Sequence, residues 1–299
     1  MSHLKELIDQ GFLVDEKTSK IIEDLNDDDF NKLIGSLKKE DFIISEETIR
    51  KILLDEVKIL KTFEPKKFFT VQDMVKMLNE RYDTLKDTLI KKLDLKNLVS
   101  INKCSSGMVS IIGMVGSKDE KDENYVISLE DPTGEIQALI PKTLAEKVSL
   151  DDVVAVTGNI SNKILFVKRL FYPDVPLRPV SYSSNNIKVA FLSENKETDA
   201  NYIIYKNKVE DKIKNKSFTI TNPSLIRIDK IIVLILCGFE PLSILRKRYV
   251  NIKNTDFLIN IVPDILFIDK EINMNYKGIS IIPINKAVNL KTREITDIN

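Results

Sequence analysis

The chain has 299 residues, of which 43% are hydrophobic and 30% are charged, a composition typical of a folded protein of two or three domains. Its 45 basic and 45 acidic residues give a formal net charge of zero, so no overall field attracts the chain to nucleic acid or to an acidic membrane. The first residues lack the basic and apolar regions of a signal peptide, and the longest apolar run, Ile231–Cys237, is far too short to span a membrane.

Cysteine and histidine usage argues against metal and redox chemistry. Cys104 and Cys237 lie far apart without CxxC spacing, which predicts reduced thiols in a cytoplasmic protein and neither a disulfide nor a zinc site. The single histidine, His3, leaves no imidazole for a metal or catalytic centre in the rest of the chain.

Residues 1–60 are predicted to form a helical N-terminal domain. Gly11 ends a first amphipathic helix, Asp15 caps a second, and acidic residues 27–29 lie at the positive end of a third. Ser45 begins a fourth helix, in which apolar residues recur every three or four positions as far as Leu60. Helices this short need one another, or a partner, to bury their apolar faces.

Residues 61–102 are predicted to form a linker and a helical lead-in. The linker is Lys61–Phe68, and Thr70 then caps a helix that runs to Tyr82. A second helical segment, Leu85–Leu93, leads into a predicted strand at Leu98–Ile101.

Residues 103–176 contain short alternating runs that predict five strands. The turn Asp131–Gly134 joins the second and third strands as a hairpin, and a short helix, Thr143–Val148, precedes the fourth. The strands are Val109–Val115, Tyr125–Glu130, Glu135–Ile140, Val153–Gly158 and Ile164–Leu170. This order matches an OB-fold, a small barrel that often holds nucleic acid, although a generic five-stranded barrel would give the same pattern.

Residues 187–299 are predicted to form a thin domain of buried strands with few helices. The strands are Ile187–Leu192, Ser217–Ile220, Ile231–Leu236, Phe257–Ile261, Ile265–Ile268 and Ile279–Ile284. The predicted fold is therefore a multi-domain α+β protein, with an N-terminal helical region, a central OB-fold barrel and a C-terminal β-rich domain.

Two basic stretches are candidates for nucleic-acid binding, because lysine and arginine neutralise the phosphate backbone. The usual interpretation of such a stretch, a solvated helix face or loop, remains the alternative. The candidate residues are Lys206, Lys208, Lys212 and Lys214 in the first stretch, and Arg246, Lys247 and Arg248 in the second.

Several short segments match one protein family in order and spacing. They are Phe69-Thr70, Asn79–Leu85, Val109–Val115, Leu129–Gly134, Leu150–Val153, Tyr172–Pro176, Thr221–Ser224, Val262–Ile265 and Tyr276–Gly278. Over residues 69–299 the chain resembles the small subunit of archaeal DNA polymerase D, also called polymerase II, which belongs with the B-subunits of eukaryotic replicative polymerases.

The resemblance implies that the C-terminal domain is a shortened, degenerate calcineurin-like phosphoesterase with a β-rich α/β fold. In the family this domain holds two metal ions and has 3′–5′ exonuclease activity, which requires Asp, His and Asn ligands. The positions that match those ligands hold Glu194, Lys196, Cys237, Lys270 and Ile272. A protonated lysine repels a cation and cannot bind it, so the resemblance implies no catalytic residue, no metal and no cofactor. Glu194, Cys237 and Asp269 are too scattered in sequence to predict a different metal site.

The implied function is that of a non-catalytic scaffold subunit that docks on the large catalytic subunit of DNA polymerase D and reaches DNA through the complex. Val262, Pro263 and Asp264 are candidate partner contacts by family position, and a turn into a strand is their alternative interpretation. Three other functions stay open: a free-standing single-strand-binding module, an exonuclease with an unrecognised metal site, and a degenerate paralogue with no present role.

Overall fold

The computed structural model describes residues 3–25, 27–37, 42–53, 57–65, 69–194, 196, 198–205 and 217–298. The chain is mixed α/β with mostly strands, and it forms two compact units, neither of which is one continuous stretch of sequence. The sheet unit comprises residues 1–64, 178–239 and 263–299, and the barrel unit comprises residues 65–177 and 240–262. The domain bounds predicted from the sequence, 1–60, 61–102, 103–176 and 187–299, stay predictions.

Short helices near the N-terminus pack around a small core of their own. They are α1 (His3–Asp9), α2 (Glu16–Glu23), α3 (Asp27–Ser36) and α4 (Glu46–Leu53), with a parallel pair of short strands, β1 (Leu13–Val14) and β2 (Ile43–Ile44). Leu7, Ile22 and Ile49 are fully buried in this core. The Asp15 carboxylate accepts a hydrogen bond from the Thr18 amide at 2.8 Å, which confirms Asp15 as the cap of α2.

The predicted extension of the fourth helix to Leu60 is wrong. Residues 57–62 form strand β3 (Val57–Thr62), which pairs antiparallel with a distant strand, Ser224–Ile228. Val57 lies opposite Ile228 and packs on the main core of the sheet unit. Burial against that strand therefore overrides the helical spacing of the apolar residues.

One continuous helix, α5 (Val71–Lys92), replaces the two helical segments predicted here. Thr70 and Asp73 form a capping box at its start, in agreement with the predicted cap. Buried Tyr82 and Leu85 hold the helix on the barrel through the position of the expected break. Neither α5 nor any other helix in the described part of the chain is long and apolar enough to cross a membrane.

The strand predicted at Leu98–Ile101 is also wrong. Leu98 makes only an isolated bridge to Ser110, and Ile101–Lys103 form a turn of 3₁₀-helix. The Ile101 amide donates to the Asp131 carboxylate at 2.9 Å, so it bonds a side chain and not the backbone of a neighbouring strand.

The strands predicted over residues 103–176 are confirmed, and they close into a five-stranded barrel. They are β4 (Gly107–Lys121), β5 (Asn124–Asp131), β6 (Gly134–Pro141), β7 (Val153–Ser161) and β8 (Ile164–Phe171), bonded in the order β4-β5-β6-β8-β7. The predicted short helix before the fourth strand is α6 (Lys142–Ala145). Alternate residues point inward, and Ile111, Ile127 and Ala138 are fully buried inside the barrel.

The sheet unit contains two sheets that share one core, whereas the sequence predicted one thin sheet-based domain. Its strands after β3 are β9 (Lys188–Leu192), β10 (Tyr202–Tyr205), β11 (Ser217–Thr219), β12 (Ser224–Ile228), β13 (Ile231–Ile235), β16 (Ile265–Ile268), β17 (Met274–Tyr276), β18 (Ile279–Pro283), β19 (Lys286–Asn289) and β20 (Ile295–Asp297). The sheets run β11-β10-β9-β19-β20 and β17-β18-β16-β13-β12-β3. Phe191 and Phe267, one from each sheet, have ring centroids 5.6 Å apart.

Residues 240–262, expected within the C-terminal domain, group with the barrel. They form α7 (Pro241–Lys247) and a hairpin of β14 (Tyr249–Ile252) and β15 (Thr255–Leu258). Lys253 and Asn254 both have positive φ, as a two-residue turn of this kind requires. The strand predicted at 257–261 therefore begins earlier and ends at Leu258.

Candidate functional site

The ligand positions implied by the family resemblance lie at the ends of strands in the sheet unit. They are Glu194 after β9, Cys237 after β13, and Lys270 and Ile272 after β16, with Lys196 close to Glu194 in sequence. Glu194 and Lys270 are exposed, whereas Cys237 is only 2% exposed. Lys196 Nζ donates to the carbonyl of Ile298 at 3.4 Å. Among the described residues, no group of three or more His, Cys, Asp and Glu side chains could hold a metal ion.

Hydrogen bonds within the chain engage the polar groups at these strand ends. Asn222 accepts from the amide of Cys237 and donates to its carbonyl, both at 2.9 Å. Because β13 and β16 are parallel neighbours, the Asp269 carboxylate reaches the Gly238 amide at 2.8 Å. Glu194 follows a strand of the other sheet. The structure therefore brings Asp269 to the backbone beside Cys237 and places Glu194 on a separate sheet.

The structure engages part of the second basic stretch within the chain. Arg248 is 7% exposed and donates to the carbonyls of Ile259 at 2.9 Å and Asn260 at 3.1 Å. Burial lowers the pKa of Arg248, and these contacts disfavour a nucleic-acid role for it. Arg246 is half-buried and lines a cavity of about 450 Å³ with Lys147, so its proposed role stays a prediction. Outside the described residues lie the four lysines of the first stretch, Lys206, Lys208, Lys212 and Lys214.

The outer face of β5 and β6 is acidic, although the corresponding face of an OB-type barrel is the one that holds oligonucleotides. Its exposed residues include Glu130, Glu135 and Gln137. The adjoining end of the β4–β5 hairpin, residues 119–123, is exposed and carries four acidic side chains against one lysine. Phosphate binding requires Lys and Arg, so this face disfavours nucleic acid.

Arg81, from one of the family-like segments, forms a buried ion pair of the barrel unit. Arg81 is 1% exposed, and its guanidinium donates to both carboxylate oxygens of Asp256, at 2.6 and 2.7 Å. Arg81 also donates to the Asp151 carbonyl at 3.1 Å and lies 4.1 Å from the ring centroid of Tyr249. Burial lowers the pKa of Arg81, but Asp256, together with Tyr249 and Asp151, outweighs this effect and holds that pKa above its usual value. The pair fastens α5 to the β14–β15 hairpin.

Asp152 forms a second buried ion pair beside the first. Its side chain is 1% exposed, and one carboxylate oxygen lies 2.9 Å from Lys247 Nζ and accepts from the Ser149 amide at 2.8 Å. The other oxygen accepts from the Tyr249 hydroxyl at 3.0 Å. Burial raises the pKa of Asp152, and the charge of Lys247 offsets only part of that rise. Lys247, a candidate nucleic-acid contact, is thus engaged inside the barrel unit.

The sequence did not single out Arg81 or Asp256. One signal was available, because Arg81 occupies a position on the apolar stripe of its helix, between Leu78 and Leu85. A charged residue at such a position indicates a buried partner. Nothing local in the sequence identifies that partner as Asp256, since the two are 175 residues apart.

The candidate partner contacts Pro263 and Asp264 are buried within the sheet unit. Asp264 is 3% exposed, and its carboxylate accepts from the Ile232 amide at 2.8 Å and lies 2.9 Å from Arg178 Nη2. Gly278, from another family-like segment, has φ +88°, and a Cβ there would lie 2.2 Å from the Arg178 carbonyl oxygen. These segments thus form a structural junction, and a partner contact at 262–264 stays a prediction.

Comparison with known proteins confirms the resemblance seen in the sequence. The chain is 33% identical over 133 residues to the DNA polymerase II small subunit of Methanothermobacter thermautotrophicus, covering 42% of this chain and 27% of the relative. The small subunit of Pyrococcus abyssi is 35% identical over 117 residues, covering 36% of this chain and 19% of the relative. That of Pyrococcus furiosus is 30% identical over 177 residues, covering 55% of this chain and 28% of the relative. The chain therefore spans about a quarter of the length of these relatives.

Other comparisons add no functional information. No protein-family model matches the chain. A solved structure, the OBody AM1L10 bound to hen egg-white lysozyme, is 15% identical over 26% of this chain and 95% of its own, with a TM-score of 0.24. A similarity this weak says nothing about function.

Proposed function

We propose that the chain is a non-catalytic accessory subunit of an archaeal-type DNA polymerase, acting as a scaffold that docks on the large catalytic subunit. The observation that carries this proposal is the similarity to archaeal DNA polymerase II small subunits. The structure supports it because the family-like segments at 79–85 and 150–153 each contribute one partner, Arg81 and Asp152, to a buried ion pair of the barrel unit.

The strand ends of the sheet unit support the non-catalytic part of the proposal. Two-metal hydrolysis needs several oxygen and nitrogen ligands converging within a few ångströms. Here the implied ligand positions include Lys196, Lys270 and Ile272, while Asp269 bonds a backbone amide. We therefore propose that these strand ends serve as contact surface and bind no metal ion.

Access to DNA through the complex is the last part of the proposal. A net charge of zero and an acidic outer face on β5 and β6 both disfavour independent binding of single strands. The large subunit would then supply the main DNA contacts. A cytoplasmic location accompanies this proposal as a prediction.

Co-expression with the polymerase large subunit from the same genome tests the docking. We expect the two chains to co-elute in size-exclusion chromatography and the complex to differ from the large subunit alone in primer extension. Separate elution, with primer extension unchanged by the added chain, would contradict the proposal.

A nuclease assay on a 3′-labelled oligonucleotide with Mn²⁺ tests the absence of catalysis. We expect no hydrolysis above background. The matched control is the double variant Glu194→Ala/Asp269→Ala, which removes the carboxylate at one implied ligand position and the carboxylate next to another. Hydrolysis by the unmodified chain that this variant abolishes would show an unconventional metal site and refute the non-catalytic assignment.

A further inference from the structure

The N-terminal half of α5 exposes an apolar stripe. Val71, Met74, Val75 and Leu78 recur at the i, i+3, i+4, i+7 spacing of one helix face. Val71 is 75% exposed, Met74 is 46% exposed and Val75 is 52% exposed, whereas residues of the C-terminal half such as Leu89 are fully buried. An apolar helix face normally packs on a core, so a contiguous exposed stripe indicates a contact surface.

The stripe continues into a cavity between α5 and the β4–β5 hairpin. Its volume is about 200 Å³, which is below the size of typical small-molecule pockets and suits a single inserted side chain. Tyr82 forms part of the cavity wall, and its hydroxyl donates to the Ile112 carbonyl at 3.2 Å, so it offers a ring rather than a free polar group. The cavity is lined by Val75, Leu78, Asn79, Tyr82, Met114, Glu130, Asp131 and Pro132. We call the exposed stripe and this cavity together the α5 groove.

The cavity wall of the α5 groove is acidic. Both charged residues in the cavity wall, Glu130 and Asp131, are acidic. Of the nearby lysines, Lys76 pairs with Glu80 at 3.9 Å, and Lys86 lies 5.4 Å from the Tyr82 ring centroid. An apolar floor with an acidic wall attracts a ligand that joins an apolar side chain to a positive charge.

We propose that the α5 groove binds a segment of a partner protein in which a large apolar side chain is flanked by lysine or arginine. The apolar side chain fills the cavity, its neighbours cover Met74 and Val75, and the basic residues approach Glu130 and Asp131. This is the helix-in-groove mode of recognition. The acidic wall disfavours nucleic acid as the occupant. The inference rests on the proposed function only in assuming that the chain has a protein partner.

A designed peptide tests the α5 groove without the polymerase. The probe is a fluorescein-labelled helical 18-residue peptide with leucines at i, i+3, i+4 and i+7 and lysines beside them; a second peptide has glutamates in place of the lysines. Anisotropy titration with the full chain is expected to give at least about tenfold tighter binding of the lysine peptide. Added salt should reduce the difference in affinity between the lysine and glutamate peptides.

Matched variants of α5 locate the binding. Met74→Gln/Val75→Gln removes the exposed stripe and should weaken binding of the lysine peptide at least about tenfold. Ile90→Gln is the control, since Ile90 is 44% exposed on the same helix but lies outside the groove. The affinity of this variant for the lysine peptide should stay within about twofold of that of the unmodified chain. Glu130→Gln should weaken binding several-fold. Far-UV circular dichroism verifies that all variants are folded.

Several outcomes would overturn the inference. They are equal affinity of the two peptides, equal affinity of the stripe variant and the Ile90→Gln control, or an oligonucleotide that competes for the groove. Self-association of the chain in sedimentation that the stripe variant abolishes would identify a second copy as the occupant instead. Failure of the large subunit to co-elute, with peptide binding intact, would refute the proposed function and leave the groove standing.

Discussion

Loss of the Arg81 side chain should destabilise the barrel unit severely. Arg81→Met keeps much of the apolar stem but removes both hydrogen bonds to Asp256, whose side chain is only 5% exposed. Removing one partner of a buried ion pair costs about 3–5 kcal/mol, because the remaining charge stays buried without its counter-ion; here the Asp256 carboxylate would keep, among the described residues, only the hydrogen bond from the Asn251 side-chain amide at 2.8 Å. The lost contact with the Tyr249 ring adds to the same effect.

Equilibrium unfolding in urea, followed by far-UV circular dichroism, measures this loss, since urea does not screen charges as guanidinium does. The matched control is Lys76→Met, because Lys76 pairs with Glu80 on the same helix but the two side chains are 74% and 63% exposed. That variant should lose less than about 0.5 kcal/mol. The double variant Arg81→Met/Asp256→Leu should recover part of the loss. A loss in Arg81→Met no greater than in Lys76→Met would refute the reasoning.

Two further predictions concern other parts of the chain. Burial raises the pKa of Asp152 in the folded state above its value in the unfolded state. The folded protein therefore loses stability as pH rises through the folded-state pKa and Asp152 ionises. Relative to Asp152→Asn, the free energy of unfolding measured in urea titrations should increase as pH falls from about 7 to about 4. A difference in the free energy of unfolding between the two proteins that stays constant or decreases as pH falls would contradict this. Gly278→Ala should cost at least about 1 kcal/mol more than Gly238→Ala, since both glycines have positive φ but only Gly278 faces the Arg178 carbonyl. Equal thermal shifts of the two variants would count against that junction.

Local patterns predicted the barrel well. The alternation of β6 and the Asp131–Gly134 turn between β5 and β6 are both contained in neighbouring residues. The cap at Thr70 is equally local. The prediction failed where a distant strand decides the conformation, as at Val57, whose helical spacing yields to pairing with Ile228.

The candidate site was less predictable, for the same physical reason. The sequence indicates that Lys196 and Lys270 occupy implied ligand positions, but it cannot show that Asp269 bonds the Gly238 amide. Likewise, the sequence around Arg248 is that of a basic surface stretch, and only the fold reveals the two backbone carbonyls to which Arg248 donates hydrogen bonds. The exposed stripe on α5 has the pattern of an ordinary core-facing helix, so its exposure could be found only in three dimensions.

The discontinuous course of the chain limits how the protein can be dissected. The polypeptide passes from one unit to the other at 64–65, 177–178, 239–240 and 262–263, so no single excised fragment contains one whole unit without part of the other. A fragment limited to residues 65–177 would retain Arg81 but lose Asp256. Ribosomal synthesis meets the same constraint, because β9 receives its neighbour β19 only after residues 286–289 emerge. The sheet unit therefore cannot be complete until almost the whole chain has been synthesised, and a cut at 177–178 or 239–240 would leave both units incomplete.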